Sequence, residues 1–499
     1  MPNNLKPTDE QQAILDALRN TGDNIAIEAS PGSGKSETLL MAQAEVKEPC
    51  LYVAFAKADA QGFGMEKDEF GIPTKKPKPI LKSTTKAQTL NSLGHGVWGT
   101  VVSKLVFMDG RTNDKNKLFQ ILSNMFNELK GKDRKDAWDQ YSEIREAVSM
   151  ARHLGYIPTG ARAFAPYAKS ICNREQLEVR LENKPTQFAW SLIDNALITS
   201  IKAAYTGVID YDDQIYMSGL FGGTFPRFPY VLVDERQDLD PVNHAMLDKL
   251  CRNSRLVGVG DKWQSIYYFR GAETNGSEKM NAKFNMVEYP LSVSFRCPKA
   301  IVEAARWRNP TFKWVKDGGR YETLSTFAAS DIPEGAAVVC RNNAPLLRAA
   351  FSLLSGKRSV QVVGSDISAK IVKLLEKIGD PRDSKDTLLL KIDAWRDEKL
   401  KTSNNPATTH DTAECLKVFA SWGNDVSQAV AYAKHIFRQQ GAITLTTGHK
   451  AKGKEWEIVY HLDRQLLGQD DQDLNLRYVI QTRSKDAMYE ITTGETVWQ

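Results

Sequence analysis

The sequence predicts an α/β protein of two parallel-sheet cores, each interrupted by a mainly helical insertion. Three observations carry this prediction. Short apolar runs alternate with helix-like stretches near the N-terminus, the pattern of a parallel sheet covered by helices. The pattern returns near residue 207 and again near Val287. Between these blocks lie two charged segments of helical composition. At 499 residues the chain is about three times a typical domain, long enough for such an arrangement.

In chain order, Asn24–Ala29 (NIAIEA) reads as a strand, Ser30–Gly34 as a glycine-containing turn, and Lys35–Val46 as a helix with Leu39, Leu40 and Ala42 available to pack. Leu51–Phe55 is the next strand. Gly62–Lys82, with its TKKPKP run, breaks the alternation and reads as an exposed excursion, either a solvated loop or a nucleic-acid contact. Helical, charged composition sets in near Val106. Tyr230–Asp234 (YVLVD) and Leu256–Asp261 (LVGVGD) are apolar runs that each end in a carboxylate. Ala336–Cys340, Val360–Val363, Ala442–Thr446 and Glu457–Tyr460 are the strand candidates of the second core. The stretch Ser368–Phe437 between them is helical, with a polar break at Thr402–Thr409. The boundaries that follow are 1–105 with 207–286 for the first core and 106–206 for its insertion. The second core takes 287–364 with 440–499, and its insertion 365–439.

Composition narrows the function classes. Hydrophobic residues make up 41% and charged residues 25%, ordinary for a globular chain. No run approaches the roughly 18 apolar residues of a membrane span, and MPNNLKPTDEQQ lacks the apolar centre of a signal peptide. A cytoplasmic protein is expected, nucleoid-associated in a bacterium or in the host cytoplasm for a virus, and no membrane partner. The six cysteines form no CxxC pair and the seven histidines show no metal-ligand spacing. A net charge of +5 permits a polyanionic partner without demanding one.

The strongest local signal is Ala29-Ser30-Pro31-Gly32-Ser33-Gly34-Lys35-Ser36, after a strand and opening a helix. Glycines let backbone N–H groups close around phosphates, and the helix N-terminus favours negative charge. Lys35 would neutralise the β- and γ-phosphates and the Ser36 hydroxyl would ligate Mg²⁺. The general pattern begins with Gly, where this chain has Ala29. Asp234-Glu235-Arg236-Gln237-Asp238 ends an apolar strand with two acids. Asp234 can hold Mg²⁺ through water, and Glu235 can orient the attacking water. Gln264 stands where a γ-phosphate sensor could lie. Trp263, Tyr267, Tyr268 and Phe269, interleaved with Lys262 and Arg270, suit the faces of unstacked bases, although such rings serve a core equally well.

In order, these motifs resemble superfamily 1A DNA helicases of the UvrD/Rep type, most of all the F-box-helicase-like branch. Thr8-Asp9-Glu10-Gln11 resembles the adenine-reading Q motif, with Gln11 as reader, and Ala29–Ser36 resembles motif I, where Ala often stands first. Val53–Ala58 resembles motif Ia; Thr89–Gly94 resembles Ib, with Asn91 for a common His. Asp234–Asp238 resembles the Asp-Glu-Ala-Gln-Asp box with Arg236 for Ala, and Gly260–Ala272 resembles motif III. Leu291–Arg296 resembles motif IV, with Phe295 where a Tyr often stacks on adenine. Thr446–Trp456 and Leu476–Lys485 resemble motifs V and VI.

The resemblance implies two RecA-like P-loop NTPase cores with ATP and Mg²⁺ between them. Lys35, Asp234, Glu235 and Gln264 would come from the first, and Arg296 and Arg483 from the second as arginine fingers. Glu455 would bond the ribose. Phe55, Asn91, Tyr268, Phe269, Thr447 and His449 would face single-stranded DNA; on pattern alone Phe55 fits a core as well. The implied activity is an ATP-dependent helicase or translocase moving 3′-to-5′ on single strands and at single/double-strand junctions, with replication or repair proteins as further partners. A translocase that strips bound proteins with little unwinding shares every one of these residues. A small-molecule P-loop phosphotransferase would need neither Arg296 nor Arg483.

Overall fold

A computed structural model of the chain describes residues 6–67, 73–110, 115–325, 328–401, 403 and 406–491. They divide into two compact units. One holds the described residues up to Ala29 together with Gly34–Leu291; the other holds Ser30–Ser33 and the residues from Ser292 onward.

Each unit is built on a six-stranded sheet whose neighbouring strands all run parallel. In the first, the order from edge to edge is Met286–Leu291, Asn24–Ala29, Arg255–Gly260, Tyr230–Val233, Cys50–Ala54 and Thr85–Thr89. In the second it is Arg320–Leu324, Ser484–Ile491, Trp456–Leu462, Ala337–Cys340, Ile443–Thr447 and Val360–Val362. These are two RecA-like P-loop NTPase cores with helical insertions. The central strands are near-continuous apolar runs because helices cover both faces; Cys50–Ala54 is buried at every position.

The sheets correct two expectations. Met286–Leu291 pairs in register with Asn24–Ala29, so the boundary expected at 286/287 falls at 291/292. Within Gly62–Lys82, Met65–Lys67 pairs antiparallel with Pro73–Pro77, so the described part of that excursion is a two-stranded ribbon, its second strand exposed throughout. Of the polar break expected at Thr402–Thr409, residues 402, 404 and 405 lie outside the described set, and Pro406 already opens a helix. Among the described residues no helix is long and apolar enough to cross a membrane.

The first insertion comprises Lys117–Glu128, Gly131–Asp139, Tyr141–Leu154, Arg174–Glu178 and Gln187–Tyr205. It has a hydrophobic cluster of its own, centred on Leu122, Phe126, Val148 and Ile193. A two-residue parallel ladder, Val106–Phe107 with Val208–Ile209, closes its base. Beside the ladder, the buried Arg152 guanidinium meets Asp210 at 2.8 Å, Asp212 at 3.2 Å and Asp213 at 3.3 Å. Buried Lys117 also pairs with Asp213. Asp210 caps the core helix Tyr211–Leu220, so these cations fasten the insertion to that helix's first turn. The second insertion, Ser365–Ile378, Lys385–Leu400, Pro406–Trp422 and Val426–Ile436, shares one continuous hydrophobic cluster with the second sheet.

Next to Arg152, His153 Nδ1 lies 2.8 Å from Asp240 and Nε2 lies 3.6 Å from Asp212. Burial and the Arg152 charge oppose the imidazolium, but the two carboxylates prevail and raise its pKa from 6.5 to about 9. A folded-state pKa above the unfolded one means the stabilisation is complete below about pH 6.5 and is lost as pH rises through about 9. The thermal midpoint should therefore fall between pH 6.5 and 9.5 more steeply in the parent than in His153→Asn. Parallel profiles from scanning calorimetry would remove His153 from the fastening.

Candidate active site and nucleic-acid face

The phosphate loop follows from the sheet. Asn24–Ala29 runs out at the carboxyl edge, and the chain turns through Gly32 (φ 71°) and Gly34 (φ 83°) into the helix Lys35–Glu45. Both glycines sit in the left-handed region that L side chains avoid. The helix N-terminus carries no side-chain cap, leaving backbone N–H donors for an anion. Ser33 Oγ is buried with no hydrogen-bond partner among the described residues, as fits a hydroxyl awaiting a phosphate oxygen.

The acidic box leaves the neighbouring strand end. Glu235 occupies φ 49°, ψ 43°, a left-handed conformation uncommon outside glycine. This turn brings its Oε1 to 2.7 Å from Lys35 Nζ. Asp234 accepts from Tyr52 OH at 2.7 Å, from the Glu235 N–H at 2.9 Å and from Ser36 Oγ at 3.4 Å. Gln237 donates to Glu235 and accepts from the Asp261 N–H at 3.1 Å, and Gln264 Nε2 donates to Asp261 at 2.7 Å. The site is therefore one hydrogen-bonded chain across three strand ends.

Its electrostatics follow from burial. Desolvation opposes the Lys35 ammonium, yet Glu235, Asp234 and Asp261 outweigh it and hold its pKa above the ordinary lysine value. Burial, then the Glu235 charge, raises Asp234 against the pull of Lys35. Burial pushes Asp261 up to about 6. A hydroxyl and a carboxylate oxygen 3.4 Å apart beside a phosphate loop are the donor set a hard divalent cation takes with phosphate oxygens. Among the described residues no three His, Cys, Asp or Glu side chains cluster as a metal site, and an ion shared with phosphates needs none.

Gln11 Oε1 accepts from the Thr8 N–H at 3.0 Å and Nε2 donates to Thr38 Oγ1 at 3.0 Å. Its amide thus joins the first helix to the phosphate-loop helix. In the second unit, Arg296 Nε pairs with Glu455 at 2.6 Å, so the residue expected on a ribose is here an ion-pair partner. Arg483 is 2% exposed, with Nε donating to Val479 O at 2.9 Å and Nη2 to Thr482 Oγ1 at 3.1 Å. Arg296 Nη1 reaches Thr482 O at 3.5 Å, so Arg296, Glu455 and Arg483 form one neighbourhood. Phe295 is exposed; Thr447 is buried and immediately precedes the short helix Gly448–Ala451 that carries His449, without a side-chain capping bond to it.

On the far side of the acidic box the first unit opens a cavity of about 440 Å³. Phe55, Asn91, Tyr211, Tyr267 and Phe269 line it, with Asp234 and Asp238 in the same wall. Phe55 is 39% exposed, which settles it as a surface residue. It stacks on Tyr267 with centroids 5.9 Å apart and planes 4° apart, and Arg270 lies over Tyr267 and Phe269 at 5.0 and 5.5 Å. Asn91 Nδ2 donates to Tyr211 O at 2.9 Å, so Asn91 fixes the start of the helix that presents Tyr211. Tyr268 stands apart from these rings. It is not among the cavity-lining residues; its ring lies 3.5 Å from the Arg180 guanidinium, which also donates to Tyr268 O and Ala272 O. A turn of 3₁₀ type over Tyr268–Arg270 sends alternate rings to different sides.

The sequence reading missed Tyr52, Asp261, Gln237 and Tyr211. Gln237 was visible inside the acidic motif and Asp261 at its strand end. Tyr52 had no distinguishing signal within an apolar strand. Tyr52→Phe should lower the unfolding free energy by about 1.5–3 kcal/mol, the scale of a hydrogen bond to a charged group. Urea unfolding checks this, and an unchanged midpoint would detach Tyr52 from Asp234.

A family model described as the UvrD/REP helicase N-terminal domain matches residues 197–285. The F-box DNA helicase protein 1 of Schizosaccharomyces pombe is 24% identical over 97% of this chain, which spans 57% of that protein. DNA helicase IV of Escherichia coli is 30% identical over 22% of the chain and 18% of its own length. The ATP-dependent DNA helicase PcrA of Leuconostoc citreum is 25% identical over 35% of the chain and 28% of its own length. The chain is thus similar to UvrD/REP-type DNA helicases, through residues 197–285 by the family model and along nearly its whole length by the Schizosaccharomyces pombe relative.

Proposed function

We propose that the protein is an ATP-driven motor on single-stranded DNA, a helicase or translocase moving 3′-to-5′. The observation that carries this reading is the double use of the acidic box. One side of Asp234 meets Ser36 and, through Glu235, Lys35; the other side lines the aromatic cavity. A change in phosphate occupancy therefore acts on the wall of the surface where bases would stack.

Lys35 and the loop N–H groups bind the β- and γ-phosphates of ATP. The phosphates compete with Glu235 for Lys35, and a released Glu235 accepts a hydrogen bond from the attacking water. That water displaces ADP from the γ-phosphorus, its proton passing to Glu235 and on to solvent. Ser36 and Asp234 would hold Mg²⁺, which would supply charge neutralisation at the phosphates. Gln264, kept in place by Asp261, monitors the γ-phosphate. We assign Arg296 and Arg483 to the charge that develops there and Gln11 and Phe295 to the adenine. Glu455 takes the ribose once it leaves Arg296. Phe55, Tyr211, Tyr267 and Phe269 take bases, with Thr447 and His449 as further contacts from the second unit. Within the family, identity along nearly the whole chain supports a place near the F-box-helicase-like branch.

The deciding measurement is ATP hydrolysis with single-stranded DNA, single-stranded RNA, duplex or no nucleic acid. Strong stimulation by single-stranded DNA is expected, and Lys35→Ala should bring turnover to background while the protein stays folded. Hydrolysis indifferent to every nucleic acid would overturn the motor reading. Phe269→Ala should weaken binding of an oligodeoxynucleotide by about 1–3 kcal/mol, as the loss of one stacked base does, with hydrolysis in the absence of DNA nearly unchanged. Equal affinities by fluorescence anisotropy would take Phe269 out of the DNA path.

A further inference from the structure

Arg236 stands in the middle of the acidic box and is fully buried. Its guanidinium donates to Glu28 and to Asn281, and Asn281 in turn donates to Glu288. The sheet order shows what this contact spans. Arg236 follows the strand Tyr230–Val233, whereas Glu28 lies on Asn24–Ala29; the strand Arg255–Gly260 runs between them. The side chain therefore crosses a whole strand. The register shows how. Ala26 pairs with Gly258 and Glu28 with Gly260, so the residues on the crossed face are small where the arginine passes. A Cβ at Gly258 would lie 3.2 Å from Arg236 Cδ. One at Gly260 would lie 2.8 Å from Arg236 Cγ and 2.5 Å from Gln237 Oε1. The two glycines floor a channel fitted to this one side chain.

We propose that Arg236 is a positioning residue: it ties the acidic box to the strand that launches the phosphate loop, and Gly258 is glycine to let it pass. Glu28 immediately precedes Ala29, and Arg236 immediately follows Glu235. One ion pair thus sets the spacing of Glu235 from Lys35, the distance on which the proposed hydrolysis depends. A buried ion pair is a poor source of stability, since apolar packing of the same volume does as well. What apolar packing lacks is a fixed direction and length.

The inference rests on the ATPase reading, and the test separates the two. In Arg236→Ala/Gly258→Val an apolar side chain refills the channel without a tie. Its affinity for a fluorescent ATP analogue should stay near the parent value, while its thermal midpoint falls because Glu28 is left without its partner. Its kcat should fall about 10- to 100-fold with little change in KM, as expected when reacting groups lose alignment. A kcat within about threefold of the parent, at a temperature well below both midpoints, would reduce Arg236 to a space-filler and overturn the proposal. If the double variant does not fold, Glu28→Gln cuts the charge while keeping the shape; a fall in kcat alone supports the tie, and unchanged kcat overturns it. If the parent itself hydrolyses no nucleotide, the ATPase reading fails instead. A double-mutant cycle of Arg236→Lys and Glu28→Gln on unfolding stability then decides the tie, and zero coupling overturns it.

Discussion

The ammonium of Lys35 is the charge around which the first unit is arranged. It is held by Glu235 and lies in the field of Asp234 and Asp261, acids from two other strand ends. Taking a lysine out of water is costly unless opposite charge meets it. Asp234 and Asp261 in turn are buried and need the lysine, the Tyr52 hydroxyl and the Gln264 amide. Neither set is satisfied without the other, so strand order, the left-handed turn at Glu235 and the helix start at Lys35 are coupled. A parallel sheet meets this demand because it delivers all its carboxyl ends to one edge.

The parts of the fold readable from sequence were those whose burial is two-sided. Central strands such as NIAIEA, YVLV and LVGVG are apolar runs, and the pattern marks them. The strands Thr85–Thr89, Met286–Leu291 and Arg320–Leu324 escaped because they lie at sheet edges and carry polar, partly exposed sequences. Ser484–Ile491 escaped for its mixed composition, though it lies inside its sheet. Site residues were legible where a backbone motif dictates them, as with Gly32, Gly34, Lys35 and the acids. Side-chain direction was not. TyrTyrPhe at 267–269 offers three rings in a row, and only the turn decides that Tyr268 goes to Arg180 while its neighbours face the cavity. Tyr52 and Arg236 act through contacts far away in sequence, which local pattern does not encode.

Between the cavity and the phosphate loop stand Val53 to Phe55 on one strand end and, on the next, Val233 and Asp234 with Asp238 to Asp240. Tyr52 and Phe55 leave the same strand three residues apart, one bonded to Asp234 and the other stacked on Tyr267. Coupling over so short a path needs no long relay, because a shift of a single strand end moves both surfaces together.

The two insertions differ in how they are attached, and this bears on how such a chain can change over generations. The first owns its hydrophobic cluster and is joined to its host by a two-residue ladder, a knot of buried charge and the contacts of Arg180 with Tyr268 and Ala272. The described residues of the second share one cluster with the sheet they cover. Enlargement, shrinkage or replacement of the first leaves the host sheet covered, provided the acids at Asp210, Asp212 and Asp213 keep cationic partners and Tyr268 keeps its guanidinium. Trimming the second would strip the sheet of its roof. Within one polypeptide the first insertion is thus free to diversify, while the second is bound to the fate of its core.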